Sequence, residues 1–282
     1  MHSGGPAGIV TLQDQNALLP LMELGVTPVA SLGHELPNGD RVFRRMDGYD
    51  TSSVEWIGSY RGPVDPEAVA AARPDLIVAS PWPQGIAEIL DGIAPVIIID
   101  MFNNPMDVAL LQFADAVNKT ERAEELQAEF EARAAAVAEE LGDALVNTTV
   151  SVVEYRGDGV FNTFPEVQAM GMIARALEPT RPAVEIFEGD APKMSMESIG
   201  DHAADVMFLM VFDQDRGGDS DTFGEFSNHP LVQTLPVAQA GQLLPLDGIA
   251  MVGSVWGKAM NGLDQVSAVL TRNDLNRDLV QE

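Results

Sequence analysis

The chain is predicted to be an α/β protein of two Rossmann-like lobes with mainly parallel sheets, joined by one long α-helix. Three observations carry that expectation. Short runs that are apolar throughout alternate with helical stretches in the first third of the chain and again in its last part. Such runs suit parallel strands covered by helices on both faces, since both faces are then out of water. Between the two regions lies a stretch of helical periodicity with no Gly or Pro before Gly142. One sequence pattern also occurs twice, once in each region.

In order, IVTL (9–12) reads as a strand and the segment from Ala17 to Leu24 as a helix, followed by the strands VTPVAS (26–31), LIVAS (76–80) and PVIIID (95–100). In VDPEAVAAARPDLIV (64–78), Asp65 suits a helix cap, Pro66 the first helical position and Pro74 the stop. The stretch KTERAEELQAEFEARAAAVAEELGDAL (119–145) opens on Thr120 as a cap and repeats Leu126, Phe130, Ala134, Val137 and Leu141 as one apolar stripe. About 25 helical residues make a rod of roughly 38 Å, long enough to connect two lobes. Beyond it come VSVVEY (150–155), a helix near Val167 to Leu177, VMFLMVF (206–212), LLPLD (243–247) and a final helix from Gly257 to Leu270. The expected organisation is an N-terminal lobe over 8–104, a connecting helical segment over 105–147 and a C-terminal lobe over 148–282.

Composition narrows the partners. Of 282 residues, 46% are hydrophobic, enough for a large core and against disorder. The net charge of -27, from 43 acidic and 16 basic residues, repels phosphate backbones and anionic lipid heads, so neither nucleic acid nor a membrane surface is an expected partner. With no cysteine, disulfides, thiolate metal sites and cysteine nucleophiles are excluded. No run approaches the roughly 18 apolar residues of a membrane span. The start, MHSGGPAG, lacks the basic and apolar regions of a signal peptide; an exported chain whose leader has been removed reads this way, and so does a cytosolic one.

The repeated pattern lays MSMESIGDHAADVMFLM (194–210) over VDPEAVAAARPDLIVAS (64–80). In each copy a capping residue (Asp65, Ser195) is followed by Glu (Glu67, Glu197), an aliphatic (Val69, Ile199), an Asp (Asp75, Asp205) and a buried-strand run, all at matching offsets. A carboxylate in a first helical turn favours the helix dipole, which accounts for Glu67 alone. It does not account for the recurrence.

These segments together carry a resemblance: IVTLQDQNALLPLMELGVTPVAS, IGSYRGPVDPEAVAAARPDLIVAS, KTERAEELQAEFEARAAAV, MSMESIGDHAADVMFL and LPVAQAGQLLPLD, in that order and spacing. The sequence resembles the substrate-binding proteins of ABC importers that carry ferric siderophores, vitamin B12 and haem, the class III periplasmic binding proteins. The resemblance implies a non-catalytic monomer with no cofactor, periplasmic or an extracytoplasmic lipoprotein, that holds a ferric siderophore in the cleft between lobes and hands it to a permease dimer. Cobalamin or haem is the alternative ligand within the family. In that family a glutamate of each lobe docks onto permease arginines, which by position are Glu67 and Glu197. Ligand contacts implied in the first lobe are Tyr60, Arg61 and Trp82; in the second lobe they are Tyr155, Arg156 and Phe161, with Trp256 ahead of the last helix. Arginine suits chelate oxygens because it stays charged and donates in a fork. Trp82 between two prolines also reads as a packed loop anchor, Trp56 reads as core, and Arg41, Arg44 and Arg45 either frame the pocket or face solvent.

Two other classes compete. Capture of bare zinc or manganese requires several converging His and carboxylate ligands, and beyond His2 the sequence offers His34, His202 and His229. An enzyme would draw on acidic groups such as Asp213 and Asp215, yet DQDRGGDSD (213–221) lacks the spacing of a calcium loop. No nucleophile elbow, P-loop or dinucleotide fingerprint follows a strand.

Overall fold

The IVT run forms β1 (Ile9–Thr11), buried along its whole length. The computed structural model describes residues 5–36, 38–101, 103–163, 168–187, 192–213, 220–248 and 253–280. The chain divides into two compact units, Met1–Glu129 with Gly253–Gly257, and Phe130–Val252 with Lys258–Glu282.

In the first unit, α1 (Leu19–Glu23) leads to β2 (Ala30–Glu35), β3 (Arg41–Val42) and β4 (Glu55–Ser59). Then follow α2 (Pro66–Ala71), β5 (Leu76–Ala79), α3 (Ile86–Ile89), β6 (Val96–Ile98) and α4 (Met106–Ala116). The sheet runs β3-β2-β1-β5-β6, with β4 also paired to β2. Every pairing is parallel except β2 with β3. Val10, Leu32, Val69, Ile77 and Ile86 form part of its core. Burying each such side chain contributes about 1.5–3 kcal/mol.

Helix α5 (Thr120–Leu141) is the predicted connector, and the boundary between the units falls inside it, after Glu129. Leu126, Phe130, Ala134, Val137 and Leu141, the predicted stripe, are all buried. The helix stops earlier than expected because Gly142 adopts φ +48, and the short α6 (Asp143–Val146) follows as a separate turn.

The second unit contains β7 (Val150–Gly157), β8 (Val160–Thr163), α7 (Gln168–Leu177), β9 (Lys193–Ser195) and β10 (Val206–Val211). It continues with α8 (Thr222–Ser227), α9 (Pro236–Gln239), β11 (Leu243–Asp247) and, from Lys258 onward, α10 (Trp256–Leu270), whose first two residues belong to the first unit. The sheet order is β11-β10-β7-β8-β9. Pairings of β10 with β11 and β7 are parallel, whereas β7–β8 and β8–β9 are antiparallel. The antiparallel half comes from a tight turn at Asp158-Gly159, both with positive φ (51 and 74), the geometry that Asp-Gly supplies in a two-residue hairpin. Val167, placed by sequence at the start of a helix, lies outside the described residues.

Candidate ligand-binding and docking surfaces

The parallel strands of the first unit end at a common edge, and side chains leaving it form a layered cluster. Asp14, just after β1, is fully buried and accepts from the Arg44 backbone N–H at 2.9 Å, Nε at 3.0 Å and Nη2 at 2.6 Å. Burial works against the Arg44 charge, but the hydrogen bond and charge of Asp14 outweigh it and push the Arg44 pKa above the ordinary arginine value. Arg44 Nη1 then donates to the Tyr60 hydroxyl at 3.0 Å, and Arg61 Nε donates to the same oxygen at 2.8 Å. Tyr60 is held in place by its own N–H, which donates to the Gly33 carbonyl at 2.9 Å. The Arg44 and Arg61 guanidinium carbons lie 4.2 and 5.6 Å from the centre of the Tyr60 ring.

Beside them, Arg41 stacks on Trp56 at 4.4 Å. Trp56 approaches Gly33 so closely that a Cβ there would lie 2.6 Å from its Nε1 and from the Val42 carbonyl oxygen. The structure therefore brings Tyr60 and Arg61 together with Arg44, places Arg41 on Trp56 in the strand that precedes Tyr60, and buries Arg45. Asp14 escaped the sequence reading. Its signal is a carboxylate directly after a buried strand, where only a paired charge is tolerated.

After β5, Ser80 Oγ donates to the Trp82 carbonyl at 3.1 Å, and the peptide from Trp82 to Pro83 is cis. Trp82 is 62% exposed, so it is not packed as a loop anchor.

In the second unit, side-chain alternation sorts the candidates. Tyr155 and Phe161 are cross-strand partners on the inward face; Tyr155 packs 5.6 Å from Phe226, and Phe161 meets the edge of His202 at 5.0 Å. Arg156 points the other way, exposed, with Nη1 2.8 Å from Glu154 and Nε and Nη2 both 3.1 Å from the Asn162 side-chain oxygen. Trp256, which belongs to the first unit, is fully buried, and its backbone N–H donates to Glu23 Oε2 at 3.0 Å. Of the seven ligand-contact candidates, Tyr155, Phe161 and Trp256 thus present no open ring surface. Where β10 and β11 end, an open hollow of about 480 Å³ is lined by Val211, Asp213, Phe223, Asp247 and Gln265 among others. Asp213 accepts from Ser220 Oγ at 2.9 Å and from the Thr222 hydroxyl and backbone, so it is tied to its own loop; Asp215 lies outside the described residues.

The repeat has a structural counterpart in each unit. Asp65 Oδ1 accepts from the Glu67 and Ala68 N–H groups at 2.9 and 3.4 Å, while Ser195 Oγ accepts from the Glu197 N–H at 3.3 Å. Both turns therefore begin with a side-chain cap, and both glutamates are exposed. Asp75 Oδ2 accepts from the N–H of Gly8 at 3.0 Å, immediately before β1; Asp205 Oδ2 accepts from the N–H of Thr149 at 2.8 Å, immediately before β7. The backbones reciprocate, Asp75 N–H to the Gly8 carbonyl and Asp205 N–H to the Thr149 carbonyl, at 2.6 and 2.9 Å. The strands that follow, β5 and β10, run parallel to β1 and β7. Capping turn, glutamate and aspartate tether are one module used twice. In the second copy the turn Met196–His202 is anchored from below, since His202 Nδ1 lies 2.8 Å from Glu185 Oε1 in the core.

The histidines are accounted for separately: His34 lies 5.8 Å from the Tyr60 ring, His202 pairs with Glu185, and His229 Nδ1 accepts from the Leu231 N–H at 3.3 Å. Among the described residues, no three His, Asp or Glu side chains converge to hold a metal ion.

Two α/β units, with a long helix that holds residues of both, are the fold of a class III solute-binding protein. The chain belongs to the periplasmic binding protein family, whose pattern it matches over residues 46–250; this is a family of binding proteins, not enzymes. It is 28% identical over 267 residues to a probable siderophore-binding lipoprotein, YfiY, of Bacillus subtilis, covering 92% of this chain and 80% of that protein. The siderophore periplasmic binding protein from the fuscachelin gene cluster of Thermobifida fusca is 26% identical, with a TM-score of 0.72 over 94% of this chain and 96% of that one. FeuA from Bacillus subtilis, a triscatecholate siderophore binding protein solved with ferri-bacillibactin, shares the fold at 18% identity, with a TM-score of 0.77 over 94% and 93% of the two chains.

Proposed function

We propose that this chain is the extracytoplasmic substrate-binding component of an ABC importer for a ferric siderophore, acting as a monomer that delivers its cargo to a permease dimer. The observation that carries this reading is the cluster of Tyr60, Arg61, Arg41 and Arg44 at the strand edge of the first unit. In a protein of net charge -27 its exposed Arg41 and Arg61 are positive charges beside aromatic rings, while Arg44 is matched by Asp14. Guanidinium forks suit the oxygens of a ferric chelate, and an exposed ring such as Trp82 suits its apolar rim. In the second unit Arg156 is the exposed candidate, its charge already paired with Glu154, and Tyr155 and Phe161 lie in the core of that unit. The likeness to YfiY and to the fuscachelin-cluster protein, each named for siderophore binding, supports the same ligand class. Cobalamin, mostly neutral, makes less use of these arginines, and haem is the remaining alternative. The iron chelate is cargo; the protein supplies no cofactor chemistry.

Glu67 and Glu197 are the proposed docking residues. Two like-charged groups on equivalent turns suit two equivalent basic pockets, and bidentate pairing with arginine orients as well as attracts. The ligand assignment is tested by titrating tryptophan fluorescence with ferric siderophores of the catecholate, hydroxamate and carboxylate types, with haem and with cobalamin. Sub-micromolar quenching by a ferric siderophore is expected. Tight binding of haem or cobalamin alone would overturn the assignment.

A further inference from the structure

A tyrosine hydroxyl has one hydrogen to give and two lone-pair directions in which to accept. On Tyr60 both lone pairs are taken, by Arg44 Nη1 at 3.0 Å and Arg61 Nε at 2.8 Å. Guanidinium groups are donors only, so neither arginine can receive the Tyr60 hydrogen, and no hydrogen bond among the described residues takes it. Arg44 has no freedom to turn elsewhere, because its Nε, Nη2 and backbone N–H are all held by the buried Asp14 carboxylate. With side chains 12% and 0% exposed, this pair is costly to desolvate. A pair of apolar residues would pack there at no greater cost, but would leave the Tyr60 hydroxyl free to rotate.

We propose that Asp14 and Arg44 are positioning residues of the chelate site. They fix Tyr60 so that its hydroxyl hydrogen is presented outward, as a donor to an anionic oxygen of the ligand. The proposal rests on the siderophore reading above and narrows it. Arg44 contributes little net charge, since Asp14 matches it. The charge acting on a ligand comes from Arg41 and Arg61, both exposed and neither with a carboxylate partner among the described residues. A fixed hydroxyl donor beside the exposed Arg61 guanidinium, with that of Arg41 on the Trp56 ring of the preceding strand, suits a ferric chelate of net negative charge, with catecholate or carboxylate oxygens. It suits a neutral trihydroxamate less, because hydrogen bonds to ionised acceptors are roughly twice as strong as neutral ones.

The test compares the wild type, Tyr60→Phe, the double variant Asp14→Asn/Arg44→Gln and the triple variant. Dissociation constants are measured at fixed salt for an anionic ferric tris-catecholate and a neutral ferric trihydroxamate. The double variant keeps a neutral, hydrogen-bonding pair and leaves no unpaired buried charge. The wild type is expected to prefer the anionic chelate by at least about tenfold. Tyr60→Phe should lose about tenfold on that chelate and much less on the neutral one. The double variant should lose a similar factor, and the triple variant no more than Tyr60→Phe alone, because all three residues act through one hydroxyl. A purely structural pair would weaken both chelates equally and would add its loss to that of Tyr60→Phe, which would overturn the proposal. Equal wild-type affinity for the two chelates would also overturn it while leaving the siderophore reading intact, whereas no chelate binding at all would remove both. If the double variant does not fold by circular dichroism, Arg44→Lys decides. It keeps the charge on Asp14 but not the fork, and wild-type preference for the anionic chelate in that variant would count against the positioning role.

Discussion

Replacing Glu23 with glutamine should change how stability depends on pH. Glu23, at the end of α1, is buried and accepts from the backbone N–H of Trp256 at 3.0 Å and of Gly257 at 2.7 Å, where α10 begins. Burial raises its pKa from 4.5 to about 7, against the opposing pull of the two N–H groups and the Arg122 charge. The same buried carboxylate helps push the Tyr49 hydroxyl up to about 12, after burial itself. In the fold, then, protonated Glu23 is favoured over the charged form. Its contribution to stability is complete below pH 4.5 and is lost as the pH rises through 7. A displacement of about 2.5 on the pH scale corresponds to about 3 kcal/mol between the two protonation states. A glutamine at this position keeps an acceptor for the α10 amides and has no charge to desolvate. Urea denaturation of wild type and Glu23→Gln from pH 4 to pH 8.5 should show stability curves that diverge in favour of the variant, by about 3 kcal/mol, between pH 4.5 and 7. The cost of packing the new amide shifts the whole difference and leaves its pH dependence untouched. Parallel curves across that window would refute the reasoning.

Two further predictions concern the repeated module and the ligand surface. Asp205, 2% exposed, accepts from the N–H groups of Thr149, Leu279 and Val280, so Asp205→Ala should destabilise by about 3 kcal/mol, whereas exposed Asp75→Ala should cost about 1 kcal/mol or less. Urea midpoints compare them, and equal losses would contradict the account. Gly33→Ala would bring a Cβ within 2.6 Å of Trp56 Nε1 and should displace the Arg41–Trp56 stack, lowering chelate affinity severalfold in a fluorescence titration with little change in helical content by circular dichroism.

What the sequence made legible follows the range of the forces involved. Apolar runs and a one-sided stripe report burial directly, so β1, β5, β10 and α5 were visible in outline. The repeat is visible because a cap, a glutamate and an aspartate recur at fixed offsets in one short segment; the caps bond within their own turns, whereas the aspartates reach Gly8 and Thr149, 67 and 56 residues away. The β7–β8 hairpin is announced by Asp158-Gly159 alone, because the period of the apolar run before it does not distinguish an antiparallel partner from a parallel one. Side-chain direction was the harder question. Tyr155 and Arg156 are neighbours in sequence, and only strand alternation, with register set by β8, sends the ring into the core and the guanidinium out. Asp14 and Arg44 are separated by 30 residues, and nothing local to either announces the other. Trp256 looked like a ligand residue by position, but its N–H is tied to Glu23, distant in the chain, and its ring is buried.

The account separates capture, at the arginine and aromatic edge, from delivery, at the two glutamate turns. The most direct measurement takes Glu67→Ala/Glu197→Ala and determines both its affinity for a ferric siderophore and its support of chelate uptake through the importer's permease in proteoliposomes. The prediction is unchanged affinity with uptake reduced at least about tenfold. Wild-type uptake by the variant, or loss of affinity in step with uptake, would contradict it.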